Sequence, residues 1–342
     1  MKEQPPAPLS HRVMTERHHN PAQPRQALRG FFQSGRAVGA VALTLGALVL
    51  AGSTAFAQVR GRYLYTLSNF SGPVKYEWVR VAADEERGET YVIFQNLVRI
   101  YGPTGMETFS FGDDLNLGHI LDAAIDPKGD IFLLSYKDSR SIVTRCNFRG
   151  EPLGTLDITG LPDGLEFRPN RMIRRNDRFY FASLAASSVI ITDANGVFQK
   201  HIEVLPLVEG EDKQKDGAET IGFAVDRDGS LYFTLPAMFK VCRISPDGTA
   251  TSFGRPGSAP GRFGILAGIA IDSRGNLLVA DKLRCVIMVF DKDFKFLSEF
   301  GYRGAKPENL VVPDDLTVDR QDRVYVTQGR RRGVGVFALE RQ

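Results

Sequence analysis

Short apolar segments alternate with polar turns along most of the chain, and one arrangement of them recurs. Residues 267–290 and residues 314–337 each read as an apolar strand, an aspartate, a tight turn, a second apolar strand, a polar loop and a third strand. In both copies a Phe-Gly pair lies 19 residues before the aspartate, which is Asp272 in one copy and Asp319 in the other. Several short strands repeated at this spacing predict the blades of a propeller.

Four weaker copies lie closer to the N-terminus, at residues 79–94, 123–134, 171–182 and 222–235. In the third copy Arg174 is read at the aspartate position. The predicted second strands begin at Tyr91, Ile131, Phe179, Leu231, Leu277 and Val324. These starts are separated by steps of 40, 48, 52, 46 and 47 residues. The pattern therefore predicts an all-β fold, a six-bladed β-propeller.

The residues around each turn fit this interpretation. An aspartate followed by a polar pair and glycine, as in Asp226 to Gly229, suits a hairpin, because Asp bonds its own backbone and Gly accepts positive φ. Strands before the turn contain small residues such as Ala123 and Gly268, as expected where six inner strands crowd around an axis. The sixth copy lacks a fourth strand, and Arg62–Leu67 is predicted to supply it and close the ring.

The first 57 residues are predicted to be a leader. A polar, basic stretch ends at Arg36, a 15-residue apolar run covers residues 37–51, and Ala55-Phe56-Ala57 supplies small residues for cleavage. This combination is typical of a secretory signal peptide, and the run is shorter than a spanning helix needs. We therefore expect a leader at 1–57, a propeller at 58–342, a periplasmic or secreted location and no membrane span after cleavage. An uncleaved anchor is the alternative.

The repeats resemble a known family. The segment AGIAIDSRGNLLVADKLRCVIMVFD, preceded by FGRPGSAPGRFG, is similar to an NHL repeat and its linker. The match is closest in the fifth and sixth copies. The resemblance implies a six-bladed propeller of the exported bacterial kind, whose repeats serve as scaffolds. It also implies that residues just before each inner strand face the mouth of a central channel.

Six polar residues are candidates for that mouth: His119, Asp122, Asn170, Glu219, Asp314 and Asp315. Carboxylates, an amide and an imidazole could together hold a hard cation such as Ca²⁺ through oxygen ligands. The alternative is that they line a wet channel and cap strand ends. We expect no cofactor, with Ca²⁺ at the channel as the open alternative.

Charge narrows the possible partners. Without the first 57 residues the chain has 37 basic and 38 acidic residues, so no basic excess indicates nucleic-acid binding. The basic triplet at residues 330–332 and the charged insertion at residues 209–216 are expected to be solvated loops. Of the remaining explanations for the triplet, an acidic protein partner is the main one. We expect a monomeric propeller with a protein partner.

An enzyme is the rival hypothesis. Propellers similar to gluconolactonases hold a divalent metal with carboxylates and amides, which Glu219, Asn170 and Asp315 could imitate. NHL-like lyases use several His ligands, but the body retains only His119 and His201. No G-x-S-x-G elbow is present, and Cys146, Cys242 and Cys285 lack the spacing of a haem or zinc site. The sequence therefore favours a non-catalytic scaffold over a metal-dependent lactonase or lyase.

Overall fold

The computed structural model describes residues 59–341, except 77–78, 85, 114–115, 209–214 and 216. The predicted leader at 1–57 lies outside the described residues. The described chain is built almost wholly of β-strands, with two short 3₁₀ turns at Leu205–Leu207 and Pro236–Met238. Among these residues, no helix has the length and apolar character required to cross a membrane.

The strands divide into consecutive groups along the chain. The first are β1 (Val59–Thr66), β2 (Ser68–Asn69), β3 (Gly72–Pro73), β4 (Arg80–Ala83), β5 (Thr90–Phe94), β6 (Leu97–Tyr101), β7 (Glu107–Phe111), β8 (His119–Ile125), β9 (Ile131–Lys137), β10 (Arg140–Cys146), β11 (Pro152–Thr155), β12 (Arg171–Arg175) and β13 (Arg178–Ser183). The remainder are β14 (Ser188–Asp193), β15 (Phe198–Glu203), β16 (Phe223–Val225), β17 (Leu231–Leu235), β18 (Lys240–Ile244), β19 (Ala250–Phe253), β20 (Leu266–Ile271), β21 (Leu277–Asp281), β22 (Val286–Phe290), β23 (Phe296–Gly301), β24 (Pro313–Val318), β25 (Arg323–Gln328) and β26 (Gly333–Arg341).

These strands form six four-stranded antiparallel sheets, and β2 and β3 form a small separate hairpin. Blades one to five use consecutive strands, β4–β7, β8–β11, β12–β15, β16–β19 and β20–β23. Blade six combines β24, β25 and β26 with β1. The prediction of a six-bladed, all-β propeller is confirmed.

Ring closure follows the prediction as well. Strand β1 pairs antiparallel with β26, from Val59 opposite Arg341 to Thr66 opposite Gly335. The ring of Tyr63 packs edge-on against Phe337 at 5.7 Å between centroids. The first described strand thus covers the edge that the last strand would otherwise leave unpaired.

The hydrophobic core lies between neighbouring blades. Leu278 of blade five and Val326 of blade six belong to one buried cluster, and Tyr180 of blade three and Phe233 of blade four belong to another. The second strand of each blade is buried on both faces, and β17 and β21 have no exposed residue. This pattern explains why these strands read as continuous apolar runs in the sequence.

One position in the third repeat was misread from the sequence. Ile173 pairs with Tyr180 just as Ala224 pairs with Tyr232, which places Arg175 rather than Arg174 at the aspartate position. The turn of this hairpin contains only Asn176 and one further residue, both with positive φ. Because this turn is short, counting back from the second strand with the spacing of the other repeats places the aspartate position one residue too early.

Candidate functional site: the central channel

The inner strands place one residue of each blade in a common ring, which we call the entry layer. It is defined by register: each member lies two residues before the inner-strand residue that pairs with Tyr91, Phe132, Tyr180, Tyr232, Leu278 or Tyr325 of the second strand. Its members are Arg80, Asp122, Arg171, Gly222, Gly268 and Asp315. Four blades therefore contribute a charged side chain to the channel, and two adjacent blades contribute none.

Arg80 joins three blades across this layer. Its Nη2 donates to Asp122 Oδ2 at 3.1 Å, and its Nη1 donates to Asp315 Oδ2. Asp122 is only 1% exposed and also accepts the backbone N–H of Met172 at 2.9 Å. A carboxylate this deeply buried requires such partners, because an unpaired buried charge is costly.

The pKa shifts agree with this pairing. Burial alone would lower the pKa of Arg80, but the carboxylates of Asp122 and Asp315 outweigh burial and raise it. Burial raises the pKa of Asp315 above its ordinary value, and the opposing effects of Arg80 and Arg171 do not cancel that rise. The basic neighbours of Asp315 thus do not fully compensate its burial.

Arg171 differs from Arg80 in its contacts. Its Nη1 donates to the backbone carbonyl of Asn170 at 2.9 Å, and within the described residues it contacts no carboxylate. Burial, with the positive charge of Arg80 as the second cause, lowers the pKa of Arg171 to about 10. The layer therefore contains one guanidinium that is well compensated and one that is not.

The two glycines of the layer are required by close packing between blades. A Cβ at Gly268 would lie 2.7 Å from the backbone Cα of Asp315, and a Cβ at Gly222 would lie 2.6 Å from the carbonyl oxygen of Ala267. The Thr234 hydroxyl accepts the Gly222 N–H at 2.7 Å and donates to the same Ala267 carbonyl. Blades four and five therefore meet through backbone and leave that side of the layer without side chains.

The structure brings together only some of the predicted mouth residues. Asp122 and Asp315 meet through Arg80, whereas Asp314 pairs with Lys282 of blade five. The Asn170 side chain accepts the backbone N–H of Leu184 at 3.1 Å and so braces a loop of its own blade.

His119 and Glu219 are exposed, and neither side chain has a hydrogen bond or ion pair within the described residues. The second histidine of the body, His201, lies on the outer strand β15, away from the inner strands. No three His, Cys, Asp or Glu side chains in the described part of the chain are grouped closely enough to hold a metal ion.

The cysteines add no nucleophile. All three are unpaired and buried. Burial raises the pKa of Cys146 to about 11 and that of Cys242 to about 12, so both remain thiols at neutral pH.

Below the entry layer lies a cavity of about 370 Å³ that extends to the hairpin turns of the inner strands. The next ring of inner-strand residues lines its walls, and we call this ring the alanine layer. Its members are Ala82, Ala124, Ile173, Ala224, Ala270 and Thr317. Arg80, Asp122 and Asp315 line the inner end of the cavity. Its mid-depth side chains are thus small and mostly apolar, whereas charged residues lie at both ends.

The opposite opening lies on the strand-start face, which we define as the side of the ring where inner strands begin. Because neighbouring strands are antiparallel, the loops between second and third strands lie on this face too. Large apolar side chains are exposed here: Leu283 is 58% exposed, Ile265 47% and Tyr136 46%. Ile221, just before β16, is also exposed. Ile265 and Leu283 belong to the same blade, and exposed apolar groups that lie together are typical of an interaction surface.

Comparison with known proteins supports the fold and leaves the family open. No protein-family model matches the chain. A stretch of 68 residues is 32% identical to the Protein brain tumor of Drosophila melanogaster, which covers 20% of this chain and 7% of that protein. The chain thus spans a small fraction of the length of this curated relative.

Solved structures match over most of the propeller. A catalytically inactive virginiamycin B lyase from Staphylococcus aureus is 12% identical, with 83% of this chain and 100% of that chain covered and a TM-score of 0.52. A gluconolactonase from Xanthomonas campestris is 16% identical, with 83% and 90% covered and a TM-score of 0.54. At such low identity these similarities establish the six-bladed fold alone.

Proposed function

We propose that this chain is an exported, non-catalytic propeller that binds another protein of the cell envelope through its strand-start face. The proposal rests mainly on Tyr136, Ile265 and Leu283, which expose apolar surface beside the channel mouth. Residues of this kind at the centre of an interface supply much of its binding energy, because they lose contact with water on association. The NHL resemblance and the predicted leader support a scaffold role and an extracytoplasmic location.

Pairing of the channel carboxylates with basic side chains supports a non-catalytic role. Asp122 and Asp315 are paired with Arg80, and Asp314 is paired with Lys282. A catalytic metal requires ligands that converge on one point, and a guanidinium between two carboxylates competes with a cation for them. We therefore propose that the channel holds no resident metal. A metal-dependent lactonase or lyase is the alternative that the following experiment distinguishes.

The experiment compares capture of envelope proteins by wild-type protein and by two face variants, Leu283→Glu and Ile265→Glu. A charge at the centre of an apolar contact should reduce binding of a specific partner by tenfold or more, about 1.4 kcal/mol or greater. Phe148→Glu is the matched control, because Phe148 is 65% exposed but lies in a turn between third and outer strands, on the opposite side of the ring.

A partner retained by Phe148→Glu and lost by both face variants would support the proposal. Equal capture by all four proteins would contradict the assignment of this face. Lactone hydrolysis by the purified protein that depends on bound Ca²⁺ or Zn²⁺ and disappears in Asp122→Ala and Glu219→Ala would replace the scaffold with the enzyme alternative.

A further inference from the structure

The cavity between the alanine layer and the hairpin turns has the size and lining of a ligand site. Its volume of about 370 Å³ falls within the range of small-molecule pockets, about 300–1,000 Å³. It is reached from the side of the ring opposite the strand-start face, so it is separate from the surface to which the proposed function belongs. Any inference about it can be tested independently of a protein partner.

The side chains along the cavity walls suit the short aliphatic part of a ligand. Five of the six alanine-layer side chains are Ala or Ile, and Thr317 adds one hydroxyl. Such walls leave space near the axis because alanine side chains are short, and they offer no charge at mid-depth. An aliphatic chain of a few carbons would bury apolar area there.

The inner end of the cavity supplies acceptors that remain open. Asp315 Oδ2 accepts from Arg80, but Oδ1 has no hydrogen-bond partner in the described part of the chain. The Thr317 hydroxyl, two residues further along the same strand, also has no hydrogen bond to another described residue. Both groups belong to residues that line the cavity. A ligand with several N–H donors could bond both, because alternate residues of a strand face the same side.

The charges at the inner end of the cavity indicate what kind of N–H donor a ligand would offer. The charged residues lining the inner end are two carboxylates, Asp122 and Asp315, and one guanidinium, Arg80. The groups that act electrostatically on Asp315 are Arg80, Arg171, Asp314 and Asp122. Even with both arginines present, burial keeps the Asp315 pKa raised, so its negative charge remains under-compensated. A cation at Oδ1 would provide the missing compensation.

We propose that the channel cavity binds a small aliphatic primary amine, with its ammonium group at Asp315 Oδ1 and Thr317 Oγ1 and its carbon chain against the alanine layer. A primary ammonium supplies three donors, enough for both oxygens. Three arginines, Arg174, Arg175 and Arg320, lie near the opening, and the carboxylates of Asp84, Glu86 and Asp126 line the same end. Arg174 pairs with Asp177 and Arg320 pairs with Glu86, so two of the three arginines have an acidic partner.

Isothermal titration calorimetry with n-butylammonium, n-butanol and butyrate tests this proposal directly on the whole protein. These probes share the carbon chain and differ in the charge of the head group. We expect butylammonium to bind, and the neutral and anionic probes to bind at least tenfold more weakly. Lack of butylammonium binding, or equal binding of the three probes, would overturn the proposal.

Variants locate the site. Asp315→Asn should weaken butylammonium binding by about tenfold or more, since a charge-assisted hydrogen bond is lost. Asp314→Asn is the matched control, because the neighbouring carboxylate is engaged by Lys282, and we expect a change of about twofold or less. Thr317→Val provides a milder test if Asp315→Asn fails to fold. Unchanged affinity in folded Asp315→Asn, or in Thr317→Val if that variant alone folds, would reject the site.

The pH dependence of the wild-type protein gives a test that needs no variant. Binding requires ionised Asp315, so butylammonium affinity should fall as the pH drops through the raised pKa of this group. The decline should begin above the range of an ordinary aspartate. Affinity that does not change across the acidic range would contradict Asp315 as the ligand. Leu283→Glu should bind the amine normally, which separates failure of this inference from failure of the proposed function.

Discussion

Individual residues determine how tightly the inner strands approach one another. The entry layer has long charged side chains on blades one, two, three and six, and glycines on blades four and five. Gly268 allows its strand to lie against the backbone of Asp315, and Gly222 allows the same approach to Ala267. The close approach of blade five to Asp315 therefore depends on the absence of a side chain at Gly268.

Adding a methyl group at either glycine tests this dependence. We expect Gly268→Ala and Gly222→Ala each to lower the free energy of unfolding by about 1–3 kcal/mol, because the new Cβ would meet backbone that cannot move aside cheaply. Urea denaturation provides the measurement. In Gly102→Ala, where the nearest atom is a Thr108 methyl at 3.3 Å, we expect a smaller loss. Losses no larger than in this control would contradict the close-packing explanation.

The sequence predicted half of the channel contacts and missed the other half. Asp122 and Asp315 were predicted because carboxylates attract attention as metal ligands. Arg80 and Arg171 were missed because a search for metal ligands passes over arginine. Each lies two residues before the alanine-layer residue of its own repeat. Aligning that one position across all six copies reveals the layer. Side-chain exposure at His119 and Glu219 could not be read from spacing, because it depends on how the loops fold.

At the scale of elements, closure depends on a strand that is distant in sequence from its partner. The eight-residue strand β1 pairs with β26 through seven residue pairs, and it covers the edge of the last blade. Arg341, opposite Val59, also bonds Asp322 and Asp272 at 2.7 Å each, which ties the end of blade six to blade five. Both ends of the described chain thus stabilise the junction that closes the ring.

Removal of β1 should open this junction. We expect a chain that begins after Thr66 to lose at least about 3 kcal/mol of unfolding free energy, the order of one large core side chain, and to associate through its exposed edge. Thermal denaturation and size-exclusion chromatography measure the two effects. A chain that begins at residue 58 is the control. A truncated protein that is monomeric and equally stable would show that β1 does not close the ring.

Inner and second strands were easier to predict than outer ones, for a physical reason. The second strands are buried between blades, so their apolar runs are continuous and mark the repeat. Outer strands face solvent, and β11 has four exposed residues with no alternation to indicate a strand. Their positions follow from the geometry of a complete blade rather than from their own composition.

For the whole molecule, the fold provides two openings with different chemistry. The strand-start face has exposed apolar side chains near the paired charges of the entry layer. The opposite side, where the hairpin turns lie, leads to a cavity lined at mid-depth by small side chains. Lyases and lactonases that share this fold show that it supports more than one use. The proposed binding role therefore depends on the pairing of the entry-layer carboxylates, not on the fold.

The most direct test of this central claim is a double-mutant cycle on Arg80 and Asp315. The free energy of unfolding is measured for wild type, Arg80→Met, Asp315→Asn and the double variant. We predict that Arg80→Met costs about 3 kcal/mol and that the two changes are coupled by about 1–3 kcal/mol, because each removes the other's partner. Additive effects within about 0.3 kcal/mol would contradict the account.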